Sequence, residues 1–198
     1  MQTLRSILAL LLLFLGSLAA DPPSSARDAE PIVPTGALAH AAAALEKSTG
    51  GRVLEVRVAN RAGAPAFEAA IARHDAVLYM RIESPSDNVT EIKAADLPPW
   101  LLNYHMEAYI RSISKTQVPL DAAIVKAEAR DNAPAVDAGI AKPLSGTNAV
   151  LAYFVETMKG STRNELAIDA TTGAFIANPD ELYEPHTPVD LARRLLQQ

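Results

Sequence analysis

Ser112-Ile113-Ser114-Lys115 has the S-x-x-K spacing that sets a serine nucleophile beside a lysine amine able to take its proton. Ser86-Asp87-Asn88 matches S-D-N, a second element of serine β-lactamases. In those enzymes the S-x-x-K serine comes first and a K-T-G follows; here the order is reversed and K-T-G is absent. Four histidines, His40, His74, His105 and His186, could ligate a metal, but no two share i, i+4 spacing and no H-E-x-x-H occurs. Glu184 and His186 lie on a proline-bounded stretch, and Asp180, Glu181, Glu184 and Asp190 form an acidic run. That run lacks the regular oxygen-ligand spacing of a calcium loop, so both read as solvated surface. There is no G-x-S-x-G, P-loop or dinucleotide fingerprint. The expectation is a chain with no catalytic residue, no metal site and no cofactor.

Of 198 residues, 49% are hydrophobic, 21% charged and only 5% aromatic, with a net charge of −5. An acidic balance without a basic stripe excludes nucleic acid as a partner. There is no cysteine, which excludes disulfides, thiol chemistry, cysteine zinc sites and a lipoprotein anchor. Residues 1–19 read as an export signal: Arg5 supplies the positive start, Ile7 to Leu15 the apolar core, and Ser17-Leu18-Ala19 the small residues of a cleavage site. A bilayer span needs about 20 apolar residues, more than this run holds. A periplasmic or secreted protein starting near Ala20 or Asp21, with no stable membrane anchor, is expected. Residues 20–35, rich in Pro, Ser and Ala, read as a flexible lead-in.

The elements beyond it come as an internal repeat. Leu38, Ala41, Ala42 and Leu45 follow i, i+3, i+4, i+7, one face of a helix that Gly50-Gly51 ends. Leu54, Val56 and Val58 alternate with Glu55 and Arg57 in a strand; Phe67 to Ala72 is a second apolar segment. Leu78, Met80 and Ile82 alternate in a third strand. At an offset of 82, Leu120, Ala123, Ile124 and Ala127 repeat the helix, Glu128 matches Glu46, and Val136, Ala138 and Ile140 match the first strand, with Asp137 on Glu55. After an insertion around Pro143-Leu144-Ser145-Gly146 the offset is 86, which sets Tyr153 on Phe67, Leu166 on Met80 and Ile168 on Ile82. Met80, Ile82, Leu166 and Ile168 are predicted to face inward.

The second copy carries Ala123-Ile124-Val125-Lys126-Ala127-Glu128, Tyr153-Phe154-Val155, and Asp169-Ala170-Thr171-Thr172-Gly173, a D-x-x-T-G turn. On these residues it resembles a PepSY domain, a module of metallopeptidase propeptides. Asp169 can cap that turn and Gly173 can take positive φ. The first copy has Glu83-Ser84-Pro85-Ser86-Asp87 there, without the Thr or the Gly, and looks like a degenerate unit. The resemblance implies an α+β fold of two repeated units, each a helix packed on a curved antiparallel three-stranded sheet. Unit 1 spans 36–92 and unit 2 spans 118–178. A connecting helix over 93–117 joins them, with Leu102, Met106, Tyr109 and Ile113 on one face. Residues 179–198 form a tail with a short helix opened by Thr187-Pro188-Val189-Asp190.

By that resemblance the chain is a non-enzymatic binding or regulatory protein that contacts or restrains another extracytoplasmic protein, a peptidase among the candidates. Trp100 and Tyr104 are the candidate partner-binding residues, since aromatics anchor interfaces. The other reading of these rings is packing of the connector against the sheets. A carrier of a small ligand or metal ion, using a cleft between the units, is the alternative function.

Overall fold

The computed structural model describes residues 33–61, 64–73, 76–83, 88–95, 113, 116–141 and 143–184. Its elements are α1 (Ala37–Thr49), β1 (Arg52–Arg61), β2 (Ala64–Arg73), β3 (Ala76–Glu83), β4 (Asn88–Ala95), α2 (Leu120–Asp131), β5 (Ala135–Ile140), β6 (Ala152–Lys159) and β7 (Thr162–Asp169). The class is α+β. The strands form one antiparallel sheet in the order β4-β3-β2-β1-β5-β6-β7. Two separate three-stranded sheets are therefore not present: β1 pairs directly with β5, setting Val56 opposite Ala138. A fourth strand, β4, follows the first three and was not legible as a strand.

Both helices lie on one face and pack against each other. Each buries the stripe its periodicity requires: Leu38, Ala41, Ala42 and Leu45 on α1, and Leu120, Ala123, Ile124 and Ala127 on α2. These join Val56, Phe67, Ile71, Met80, Ile82, Ala138, Tyr153, Val155 and Ile168 in a single core, with Leu166 packed at its margin. Burial of that apolar surface is the main favourable term in folding. Each helix ends on a residue of positive φ, Gly50 (67°) and Asn132 (50°), whose N–H donates to the carbonyl of Glu46 or Glu128.

The same two glutamates tie helix to strand. Glu46 Oε1 accepts the N–H of Val53 at 3.0 Å, and Glu128 Oε1 accepts that of Ala135 at 2.9 Å. Both donors sit at a β-bulge, between Val53 and Glu55 in β1 and between Ala135 and Asp137 in β5. An extra residue at a bulge inverts the facing of what precedes it. This corrects the inward set drawn from strict alternation. Val53 and Ala135, not Leu54 and Val136, lie in the helix-side core, whereas Val56 and Ala138 do as expected.

The opposite face carries two smaller apolar clusters. One joins Leu54, Ala72, Val77 and Tyr79 under Ile113, which is fully buried. Of the connecting helix expected over 93–117, residues 93–95 instead continue β4 and Ile113 is helical; 96–112 lie outside the described residues, as does the expected C-terminal helix. The second cluster joins Ala141, Ala152, Phe154 and Ala167 under Tyr183. The Tyr183 ring meets Phe154 edge-on at 5.7 Å, and its hydroxyl donates to the Val150 carbonyl at 2.8 Å. No helix among the described residues is long and apolar enough to cross a membrane.

Candidate functional site

The D-x-x-T-G turn folds as its residue types dictate. Asp169 Oδ1 accepts the N–H groups of Thr171 at 2.7 Å and Thr172 at 2.9 Å. Gly173, at φ 70°, returns its N–H to the Asp169 carbonyl at 2.8 Å, and Thr172 Oγ1 accepts the N–H of Ala174. Asp169, Thr172 and Gly173 are thus brought together as one turn. The turn is docked on α2: Lys126 Nζ donates to the Gly173 carbonyl, and the Phe175 ring lies under Lys126 Nζ at 5.3 Å and Arg130 Cζ at 4.2 Å. Every partner here is backbone, cation or ring, an arrangement suited to holding shape.

Trp100 and Tyr104 lie outside the described residues, as do Ser112, Lys115, His74, His105 and His186. His40 is exposed on α1; Asp180 and Glu181 are exposed on a 3-10 turn, Pro179–Glu181. Among the described residues no group of three or more His, Asp or Glu is placed to hold a metal ion. At the junction between the two expected units, β1 and β5 are hydrogen-bonded neighbours and Val56 and Ala138 are fully buried.

Registering the strands reveals what sequence reading missed. On the face away from the helices, one row of side chains crosses six strands: Glu165, Glu156, Asp137, Arg57, Glu68 and Arg81, each directly opposite the next. Residues opposite one another across antiparallel strands interact directly. Glu68 sits between two cations, with Arg57 Nη2 at 3.2 Å and Arg81 Nη2 on the other carboxylate oxygen. Burial alone would raise the Glu68 carboxyl, but the hydrogen bonds and charges of Arg81 and Arg57 outweigh it and hold the group below its usual value. Toward β7 the row is acidic: Asp137 is only 5% exposed, and Glu156 takes Arg163 Nη1 at 2.8 Å.

One row further along lie Glu55 on β1 and Tyr79 on β3. Burial and the negative charge of Glu55 push the Tyr79 phenol above its usual value. Burial likewise raises Tyr153 and Tyr183. Tyr153 donates its phenol hydrogen to the Val118 carbonyl at 3.1 Å, as Tyr183 does to Val150. A signal for the row was present in Glu55, Arg57, Tyr79 and Arg81, the polar positions that alternate with apolar ones. Only the cross-strand register, though, assembles it.

No family model matches the chain, and no curated protein matches it. Among solved structures it is similar to a putative lipoprotein from Clostridium difficile 630, at 14% identity over 67% of this chain and 84% of that one, with a TM-score of 0.42. That likeness is too distant to carry fold or function across.

Proposed function

We propose that this chain is an exported, non-enzymatic binding protein built from two PepSY-like units, the first degenerate, which contacts or restrains another extracytoplasmic protein. The observation that carries the reading is agreement between repeat spacing and strand register. Val58 pairs with Phe67, and at the expected offsets Ile140 pairs with Tyr153. Phe67 pairs with Ile82, and Tyr153 with Ile168. Ile82 in turn pairs with Val89, and Ile168 bridges Phe175. The seam itself matches Val56 to its own counterpart, Ala138, which supports an approximate two-fold relation between the halves.

Duplication of one unit accounts for these equalities economically, and the capped Asp169–Gly173 turn supports the PepSY-like reading of the second copy. The residues of that pattern are turn and core groups, so binding by surface contact is the function they suit. In the peptidase propeptides that carry such modules the domain covers an enzyme, and this is the class of partner the resemblance suggests.

The test is capture from periplasmic extract with wild-type chain, purified by export and sized by intact mass, beside a Trp100→Ala/Tyr104→Ala variant. The expected outcome is a mature chain starting near Ala20 or Asp21, with a partner retained by the wild type and lost by the variant at unchanged melting temperature. Recovery of a full-length membrane-bound chain overturns export. Turnover of a peptide, ester or β-lactam substrate that Ser112→Ala abolishes overturns the non-enzymatic reading.

A further inference from the structure

β7 ends the sheet, and its first four residues, Thr162, Arg163, Asn164 and Glu165, are all exposed. The far half of the same edge is covered. There Asp169 donates its N–H to Ala174 and Ala167 accepts the N–H of Ile176, both at 2.9 Å, around the Ile168–Phe175 bridge. Those bonds fix which residues address the outer edge. Along a strand the direction alternates, so Arg163 and Glu165, like Ala167 and Asp169, turn their backbone N–H and C=O away from β6.

An exposed sheet edge is a template for strand addition. The side chains determine which strand fits. Arg163 and Glu165 flank Asn164 on the face away from the helices, and an antiparallel strand of the same sequence centred on Asn164 sets each Arg163 opposite Glu165 of the other copy. Opposite charges directly across a pair of strands are favourable, and like charges unfavourable. Arg163, 65% exposed, already reaches Glu156 and has room to serve a second carboxylate. The register also fits the limits of the edge, because Gly160 turns the chain at one end and Ile176 covers Ala167 at the other.

We propose that two copies of this chain associate edge to edge through β7, antiparallel and centred on Asn164. Arg163 and Glu165 exchange two backbone hydrogen bonds at each of the two symmetric pairs, and the sheets join into one. The contact is short, well below the area of a stable dimer, so association is weak and dependent on concentration.

Sedimentation equilibrium of the mature chain from about 10 μM to about 1 mM tests it. The apparent mass is expected to rise with concentration toward twice the monomer. Arg163→Glu and Glu165→Arg each place like charges across the seam, and each is expected to remain monomeric at a melting temperature near wild type. The double variant Arg163→Glu/Glu165→Arg restores opposite charges in reversed order and is expected to associate again. A wild type monomeric throughout overturns the proposal. Single variants that associate as the wild type does, or a double variant that fails to recover, overturn it equally.

Discussion

The two halves of the sheet match on the helix side and differ on the other. On the helix side the residues related by the offsets of 82 and 86, Leu38 and Leu120, Ala41 and Ala123, and Met80 and Leu166, all pack in or against one core. Where one member of such a pair is small the other is large: the offset matches Ala42 with Ile124 and Leu45 with Ala127, and all four are buried. On the opposite face, the register that places Arg57, Glu68 and Arg81 side by side in the first half places Gly139, Phe154 and Ala167 in the second. Three charged groups in one half correspond to an apolar strip, closed by Tyr183, in the other. A closely packed core tolerates only compensated change. On the face away from the helices the first half carries ions and the second carries rings, so under the proposed duplication that face is where the halves diverge.

The largest effects should be the same in both halves. Ile82 and Ile168 are equivalent and fully buried, so Ile82→Asp and Ile168→Asp each bury a carboxylate among apolar groups, at a cost of about 3–5 kcal/mol. Urea denaturation is expected to show similar losses. A melting temperature unchanged by Ile168→Asp would remove the third-strand register of the second half, and a loss confined to one half would break the equivalence.

The bridging glutamates should separate the halves. Glu128, 3% exposed, accepts the N–H of Gly36 on both oxygens as well as that of Ala135, so it fastens the start of α1 to the end of α2. Among the described residues Glu46 accepts one backbone N–H, that of Val53, and takes the Arg52 guanidinium at 3.2 Å, which itself reaches Thr116. Glu128→Ala strands two N–H groups in a buried place, and the expected cost is about 2–4 kcal/mol. Glu46→Ala removes a more exposed ion pair and one hydrogen bond from a backbone N–H, for about 1 kcal/mol. Equal losses in urea denaturation would mean that the Gly36 link adds nothing.

The helices, the strands and the Asp169–Gly173 turn were legible because each obeys a short-range rule: period 3.6, period 2, or the φ that glycine allows. The bulges were not. Val53 and Leu54 are both apolar, and alternation counted from Leu54 is self-consistent until Glu46 claims the N–H of Val53. β4 was missed because Asn88 to Ala95 has no clean alternation; its pairing with β3 makes it a strand. The charged row needs the register of five strand pairs at once, and no local pattern contains that. Trp100 and Tyr104, the aromatics to which sequence reading gave most weight, lie outside the described residues, so the site visible in the fold rests on other side chains.

The smallest effect separates the two faces by pH. In the first half Arg57 and Arg81 hold the Glu68 carboxyl below its ordinary value of 4.5; the equivalent Phe154 has nothing to titrate. A carboxyl lowered in the folded state contributes stability that is fully present above its unfolded pKa and is lost as pH falls through the folded one. Glu68→Gln removes that contribution and keeps the shape. At pH 7 the wild type is expected to exceed the variant by a few tenths of a kcal/mol, since the group is partly screened by water. Below pH 4.5 the gap should close, and urea midpoints measured from pH 7 to pH 3 on both proteins follow it. A gap that stays constant across that range would mean that the two arginines hold Glu68 by shape alone, leaving its charge without effect on the difference between the halves.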